Sequence, residues 1–204
     1  MNEELTTILS QVRNLFFKYG IKSVTMDDIS RELGISKKTL YNHVKDKNEL
    51  VTKVIEMEMT HHECQMNSFS DNSMNAIEEL LEMNKQVNEN IKHLNPVFKY
   101  DLRKYYPELF RKFQEANHNK LFQAIIRNIQ KGKEEGYFRQ ELNEDIIARL
   151  YVMRMVFFSE SEMVDKDDIM NPDFFNEIFS YHIHGIANEK GIRLYEEKIK
   201  QKQQ

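Results

Sequence analysis

Three closely spaced helix starts in the first quarter of the sequence constrain this chain more than any other feature. Thr25 precedes two acidic residues, so its hydroxyl is placed to accept a backbone N–H group while the acids favour the positive end of the helix dipole. Ser36 stands in the same position before a second short helix, which we predict over residues 37–43. Asp46 and Glu49 form the capping-box spacing that opens a longer helix. This part of the chain therefore folds as a succession of short, well-capped helices.

A supporting helix precedes these starts. Apolar residues recur at three- and four-residue steps from Leu5 to Tyr19, and Gly20 offers the left-handed backbone conformation that ends a helix. Gly34-Ile35-Ser36 then separates the two short helices by a tight turn. A supporting helix followed by two short helices joined in this way is the helix-turn-helix pattern of DNA-binding proteins.

The charge distribution points to the same segment. The whole chain has a formal net charge of −4, which argues against a protein that coats nucleic acid through its overall charge. Residues 10–53, however, hold nine basic and five acidic residues and so carry a net +4, which leaves −8 on the remainder. This asymmetry indicates that the N-terminal segment faces an anion.

The remaining sequence also favours helices. The chain has 6 glycines, 3 prolines and few runs rich in Val, Ile and Thr, whereas strands need β-branched alternation and turn residues. Helical periodicity predicts long helices after Asn75, Tyr106-Pro107, Asn143 and Asn171, and we expect the polar tail beyond Gly191 to fray. We therefore predict an all-α protein. Residues 1–50 form a three-helix DNA-binding domain, helix 4 from about residue 47 links it to the body, and residues 51–204 form this larger helical body.

Several function classes find no support in the sequence. The single cysteine, Cys64, cannot form an internal disulfide, and neither a secretory signal nor a membrane-spanning segment is recognisable, so we expect a cytoplasmic protein without a membrane role. No nucleophile elbow, phosphate-binding glycine loop or zinc-protease motif is present, so we expect neither an enzyme nor a bound cofactor. His61 and Cys64 share a helix face near His62, but zinc needs three or four closely spaced ligands, and His182 and His184 point to different faces. We expect no metal site, and a metal sensor remains an alternative.

The segment from Thr25 to Leu50 closely resembles the DNA-binding domain of the TetR family of transcriptional regulators. The resemblance rests on the core Thr39-Leu40-Tyr41-x-His43, followed by Lys45-x-Lys47-x-Glu49-Leu50. Three positions depart from the family pattern. Many members have Gly in place of Lys38, Ala in place of Ser30 and Phe in place of Val44. Because Lys38 adds a charge near the DNA, the operator preference of other members does not carry over.

A helix-turn-helix places its second short helix in the major groove. Thr25 and Ser36 stand at helix N-termini, and the N–H groups at the Thr25 terminus suit a phosphate oxygen. The resemblance implies that Tyr41, His43 and Lys47 contact the phosphate backbone of the DNA. Such contacts position the protein without reading the base sequence. Base reading then falls to the residues that face the groove, because lysine favours guanine, asparagine can pair with adenine and the threonine methyl can meet thymine. These residues are Lys37, Lys38, Thr39 and Asn42.

The resemblance also implies a twofold dimer that reads a palindromic operator in double-stranded DNA, with the last two large helices pairing across the axis. The stretch from Ile146 to Phe158 supports this independently because it is apolar nearly all round, although a helix central to one subunit would look similar. Arg149 and Arg154, which interrupt it, need acidic partners. The second alternative to a local regulator is a nucleoid-associated or division-control protein on the same fold.

The family usually holds a small-molecule effector among its middle helices. An adaptable apolar site would suit the many Met and Phe residues, while ordinary core packing explains each aromatic residue equally well. The candidate lining residues are Phe98, Arg103, Tyr105, Phe110, Phe113, Asn117, His118, Phe122, Met153 and Phe157. The sequence does not identify the effector, and it leaves open whether the regulator represses or activates.

Overall fold

The structure is a computed structural model that describes residues 3–68, 73–92, 96–160 and 171–202. Within these residues every named element of secondary structure is an α-helix, which confirms the predicted fold class. The β-type pairing in this part of the chain consists of one isolated bridge between Phe138 and Ala187. The helices, in chain order, are α1 (Glu3–Tyr19), α2 (Met26–Glu32), α3 (Lys37–His43), α4 (Lys47–Ser68), α5 (Ala76–Lys92), α6 (Pro96–Tyr105), α7 (Pro107–Glu134), α8 (Glu144–Glu160), α9 (Pro172–Ile186) and α10 (Glu189–Lys202).

The chain divides into two compact units, and the division differs from the boundary that we drew at residue 50. The first unit comprises residues 1–63 and 94–117, and the second comprises 64–93 and 118–204. The difference arises because apolar residues of α6 and the first part of α7 belong to the same core as the helix-turn-helix segment. Helices α4 and α7 each contribute residues to both units.

The first unit has a core built from one face of each of its helices. Leu9, Val12 and Phe16 of α1 are fully buried, as the helical periodicity predicted. Phe98 of α6 stacks on Phe17 with ring centroids 4.2 Å apart. The predicted turn at Gly20 is confirmed, since its φ is +86°, and a Cβ there would lie 2.7 Å from a methyl group of Val97. This close approach explains why glycine suits the end of α1.

The second unit packs α5, the later part of α7, α8, α9 and α10 around another apolar core. Asn143 and Asn171 cap α8 and α9 as predicted, because their side-chain oxygens accept backbone N–H groups at 3.0 Å. No helix in the described ranges is long and apolar enough to cross a membrane.

The prediction that the tail beyond Gly191 frays was wrong, since α10 continues to Lys202. Tyr195 is buried in the core of the second unit, and Ile199 packs against it from one turn further on. Lys198 forms an ion pair with Glu78 of α5 at 2.6 Å. Few apolar residues at helical spacing were enough to hold this polar helix, because tertiary packing supplies most helical stability.

Candidate nucleic-acid interface

Helix α2 is fixed at its N-terminus by Thr25 and Asp28. The Thr25 hydroxyl accepts the Asp28 N–H at 3.1 Å, while Asp28 accepts both the Thr25 N–H at 3.0 Å and the Thr25 hydroxyl at 2.6 Å. These bonds, the Thr25 hydroxyl first, hold the pKa of Asp28 below its ordinary value. The predicted cap is therefore confirmed, and the Thr25 hydroxyl donates its hydrogen bond to Asp28. A phosphate at this terminus would be met first by the remaining N–H groups of the first turn.

The turn between the two short helices has the geometry that the sequence predicted. Gly34 has φ +66°, a conformation that favours glycine. The Ser36 hydroxyl accepts the Thr39 N–H at 3.0 Å and lies 2.8 Å from the Thr39 hydroxyl. Leu40 and Val44 are buried in the core of the first unit. Helix α3 is thus held by its cap and by one apolar face, which fixes the direction of its other face.

The outward face of α3 carries the residues that we predicted to meet DNA. Lys37, Lys38 and Asn42 are exposed, and Tyr41 is 48% exposed although it follows the fully buried Leu40. The Lys37 ammonium forms an ion pair with Asp27 of α2 at 2.6 Å. In the free protein this pair holds Lys37 near the groove-facing surface, and DNA acceptors would replace Asp27 as its partner.

Lys47, His43 and Thr39 are half-buried, whereas the other predicted contacts are exposed. Burial lowers the pKa of Lys47, the nearby Lys22 ammonium lowers it further, and Asp101 and Asp28 oppose both. The His43 ring is mostly covered and its Nε2 lies 3.7 Å from a Glu4 carboxylate oxygen. A phosphate beside Lys47 would supply an anionic partner for the ammonium groups of Lys47 and its neighbour Lys22.

Lys22 is the residue at this surface that we did not single out from the sequence. It is exposed in the turn between α1 and α2, where its backbone N–H donates to Asp101 at 2.7 Å and its ammonium lies 4.9 Å from the centre of the Tyr105 ring. The positive charge of residues 10–53 includes Lys22, but nothing in the local pattern placed it beside Lys47.

An exposed, basic and polar helix held by a capped partner helix and an apolar core defines a helix-turn-helix DNA-binding protein. Residues 8–54 match the family model of the bacterial regulatory proteins of the tetR family. The HTH-type transcriptional regulator YvaF of Bacillus subtilis is 24% identical over 146 residues, which cover 71% of this chain and 75% of YvaF. Residues 8–54 therefore form a DNA-binding segment similar to that of the tetR-family regulators.

Solved structures share its fold. A transcriptional regulator from Cytophaga hutchinsonii has a TM-score of 0.76 at 20% identity, over 92% of this chain and 100% of that one. SmeT, the repressor of the Stenotrophomonas maltophilia multidrug efflux pump SmeDEF, has a TM-score of 0.61 at 16% identity, over 91% of each chain. The helical body as well as the DNA-binding segment therefore follows the architecture of these regulators.

The residues that we predicted to line an effector site lie in different surroundings. Phe98 is buried in the core of the first unit, where Phe110 and Phe113 pack partly buried against the same core. Phe122 packs against the core of the second unit. Of the others, Asn117 and His118 are half-buried, and four are exposed: Arg103, Tyr105, Met153 and Phe157.

Helix α8 keeps an apolar stripe uncovered in the single chain. Four side chains at three- and four-residue steps are between 46% and 66% exposed: Ile146, Leu150, Met153 and Phe157. The acidic partner expected for Arg149 is Asp145 on the same helix, at 2.6 Å. Arg154 instead donates to the Ile178 carbonyl oxygen at 3.2 Å, and no carboxylate of the described residues pairs with it.

The described residues contain no group of three potential metal ligands. The side chains of His61, His62 and Cys64, on which the metal-sensor alternative rested, lie outside the described part of the chain.

Proposed function

We propose that this protein is a homodimeric repressor that binds a palindromic operator in cytoplasmic DNA and is released by a small-molecule effector. It acts by binding alone, without catalysing a reaction. The observation that carries the proposal is the outward face of α3, where Lys37, Lys38, Tyr41 and Asn42 stand exposed on a helix anchored by Leu40. Repression is supported by likeness to SmeT, which is a repressor.

The proposed division of labour at the DNA is testable with two variants. Lys47→Ala should weaken binding to all sequences alike and lower the slope of log affinity against log salt by about one unit, because one phosphate contact is lost. Asn42→Ala should change the base preference and leave that slope in place, because base contacts specify sequence. Lys200→Ala, at an exposed lysine of α10, is the matched control. Equal salt slopes for Lys47→Ala and Lys200→Ala would remove Lys47 from the interface.

Dimerisation is supported by the uncovered apolar stripe of α8. Isolated exposed apolar residues are common, but four on one helix face mark an interaction surface. Leu150→Glu at the middle of the stripe should give a folded monomer with at least about a tenfold loss of operator affinity, because each recognition helix then binds one half-site alone. Analytical ultracentrifugation and circular dichroism check the two parts. A Leu150→Glu dimer of unchanged affinity would place the interface elsewhere.

Effector release requires a ligand that prefers the conformation unable to bind the operator. Apolar and aromatic compounds should raise the melting temperature of the protein and lower operator affinity together. Genome-wide mapping of bound sites tests the rival function, because a local regulator occupies few operators whereas a nucleoid-associated protein occupies many dispersed sites.

A further inference from the structure

Three polar side chains meet in the interior of the second unit, where α8 packs against α9. The Tyr151 and His182 rings contact edge to face with centroids 4.9 Å apart. The Arg154 guanidinium lies over the Tyr151 ring, 4.5 Å from its centroid. Tyr151 is 3% exposed and His182 is 9% exposed. A half-buried guanidinium and a buried imidazole therefore lie together against the apolar core of the second unit.

Part of the hydrogen-bonding capacity of this cluster is not used within the described residues, although Arg154 also donates to the Ile178 carbonyl oxygen. Arg154 Nε and His182 Nε2 are covered and have no hydrogen-bond partner in the described part of the chain. Burial is the main cause that lowers the pKa of Arg154, and burial followed by the Arg154 charge lowers the pKa of His182 to about 3. A half-buried cation without a carboxylate among the described residues is costly, and a ligand that supplies a carboxylate would offset this cost.

We propose that Arg154 and His182 bind the carboxylate of a small organic acid whose apolar part packs in the core beside Tyr151. Arginine is the residue best suited to a carboxylate because its N–H groups form a planar fork, and a neutral imidazole offers one further N–H. The apolar residues of this core, among them Phe179 and Ile183, suit a hydrocarbon or aromatic body. The inference rests on the proposed effector-controlled function and names the chemical class of the effector.

The covered position of the cluster gives the acid a way to act. Because Arg154 Nε and His182 Nε2 are closed off in this conformation, an acid reaches them only when the packing of α8 on α9 opens. A ligand that binds the opened state shifts the population towards it.

The test uses the full-length protein with benzoate and hexanoate as probes and their neutral amides as matched compounds. Calorimetry should show that both acids bind at least about tenfold more tightly than their amides, because only the acids supply a charge to the Arg154 guanidinium. Arg154→Met should abolish this preference, and His182→Phe should weaken it. Arg149→Met makes the same substitution on the same helix at an exposed arginine and should leave acid binding unchanged.

The melting temperature without ligand checks folding, and Arg154→Met should maintain or raise it, because the half-buried guanidinium has no carboxylate partner among the described residues. Acids and amides binding equally well, no acid binding at millimolar concentration, or unchanged acid binding by folded Arg154→Met would each overturn the inference. Measuring whether each compound releases the protein from its operator distinguishes this inference from the proposed function. If a neutral compound still releases Arg154→Met from the operator, the protein has an effector, but this site does not bind it. If an acid binds without releasing the operator, the site exists but has no regulatory role.

Discussion

The two units treat their buried polar groups differently. In the first unit, Ser30 donates to a helix carbonyl at 2.9 Å, Glu58 pairs with Arg13 at 2.6 Å, and Asp101 accepts the Lys22 N–H at 2.7 Å. In the second unit, three covered polar atoms have no partner within the described ranges: Asn128 Oδ1, Arg154 Nε and His182 Nε2.

This difference separates a unit that is complete by itself from one that is not. Among the described residues, the first unit pairs its buried polar side chains internally and directs polar and basic side chains of α3 towards solvent, where we propose that DNA binds. The second unit leaves polar atoms unpartnered inside and an apolar stripe uncovered on α8. Unsatisfied groups of both kinds are common at functional sites, where stability is given up for binding. The following experiments would break or sharpen this contrast.

The largest effect should come from the Arg13–Glu58 pair of the first unit. Arg13→Met leaves the Glu58 carboxylate, 3% exposed, without its cation and should cost about 3 kcal/mol of unfolding free energy. Urea denaturation at pH 7 measures the loss. The double variant Arg13→Met with Glu58→Leu should recover most of it, because the buried charge is then gone. A single variant as stable as the parent would show that the first unit tolerates an unpartnered charge too.

The second-largest effect should be a loss of folding stability in acid that is caused by His182. Its pKa is lowered to about 3 in the folded protein, from an ordinary 6.5, so between these values the unfolded chain binds more protons than the folded one. Stability should therefore be complete above pH 6.5 and fall by about 1.5 kcal/mol between pH 6.5 and 5.

His182→Phe lacks this imidazole and should not show this loss of stability over that interval. The carboxyl groups of Glu78 and Glu144 have lowered pKa values and so titrate below it. Denaturation midpoints measured every half pH unit would decide the matter. Parallel profiles for parent and variant would show that His182 is not the source of the acid sensitivity.

A smaller effect is expected at the cap of α2. Thr25→Ala removes the hydroxyl that accepts the Asp28 N–H and should cost about 1 kcal/mol, seen as faster amide hydrogen exchange in α2. Thr25→Ser keeps the hydroxyl and should exchange like the parent. If Thr25→Ala also exchanged at the parental rate, the cap would contribute nothing to the order of α2.

The smallest effect should follow Arg154→Met in the second unit. Because the guanidinium has no carboxylate partner among the described residues, its removal should leave the unfolding free energy within about 1 kcal/mol of the parent, or raise it. Arg149→Met, which breaks an exposed pair with Asp145, should also change it little. A loss at Arg154 comparable with that at Arg13 would end the contrast between the two units.

The local structure of the DNA-binding segment was predictable from sequence because its signals are short-range. Thr25, Gly34 and Ser36 act on residues within three positions of themselves, so their effect does not depend on the rest of the fold. The tail beyond Gly191 shows the opposite case. Its polar composition predicted fraying, and only the packing of Tyr195 and Ile199 against distant helices makes it a helix.

The three helix starts between Thr25 and Glu49 thus determined α2 and α3 without any tertiary information. They also determined which face α3 presents. Tertiary structure alone brought Lys22 close enough to Lys47 to lower its pKa and grouped residues 94–117 with the N-terminal helices. It also placed Arg154 and His182 near each other, each with one nitrogen that has no hydrogen-bond partner among the described residues. The physical reason is the range of the forces involved. Caps and turns are decided by backbone hydrogen bonds within a few residues, whereas burial and the pairing of charges depend on residues that only the folded chain brings into contact.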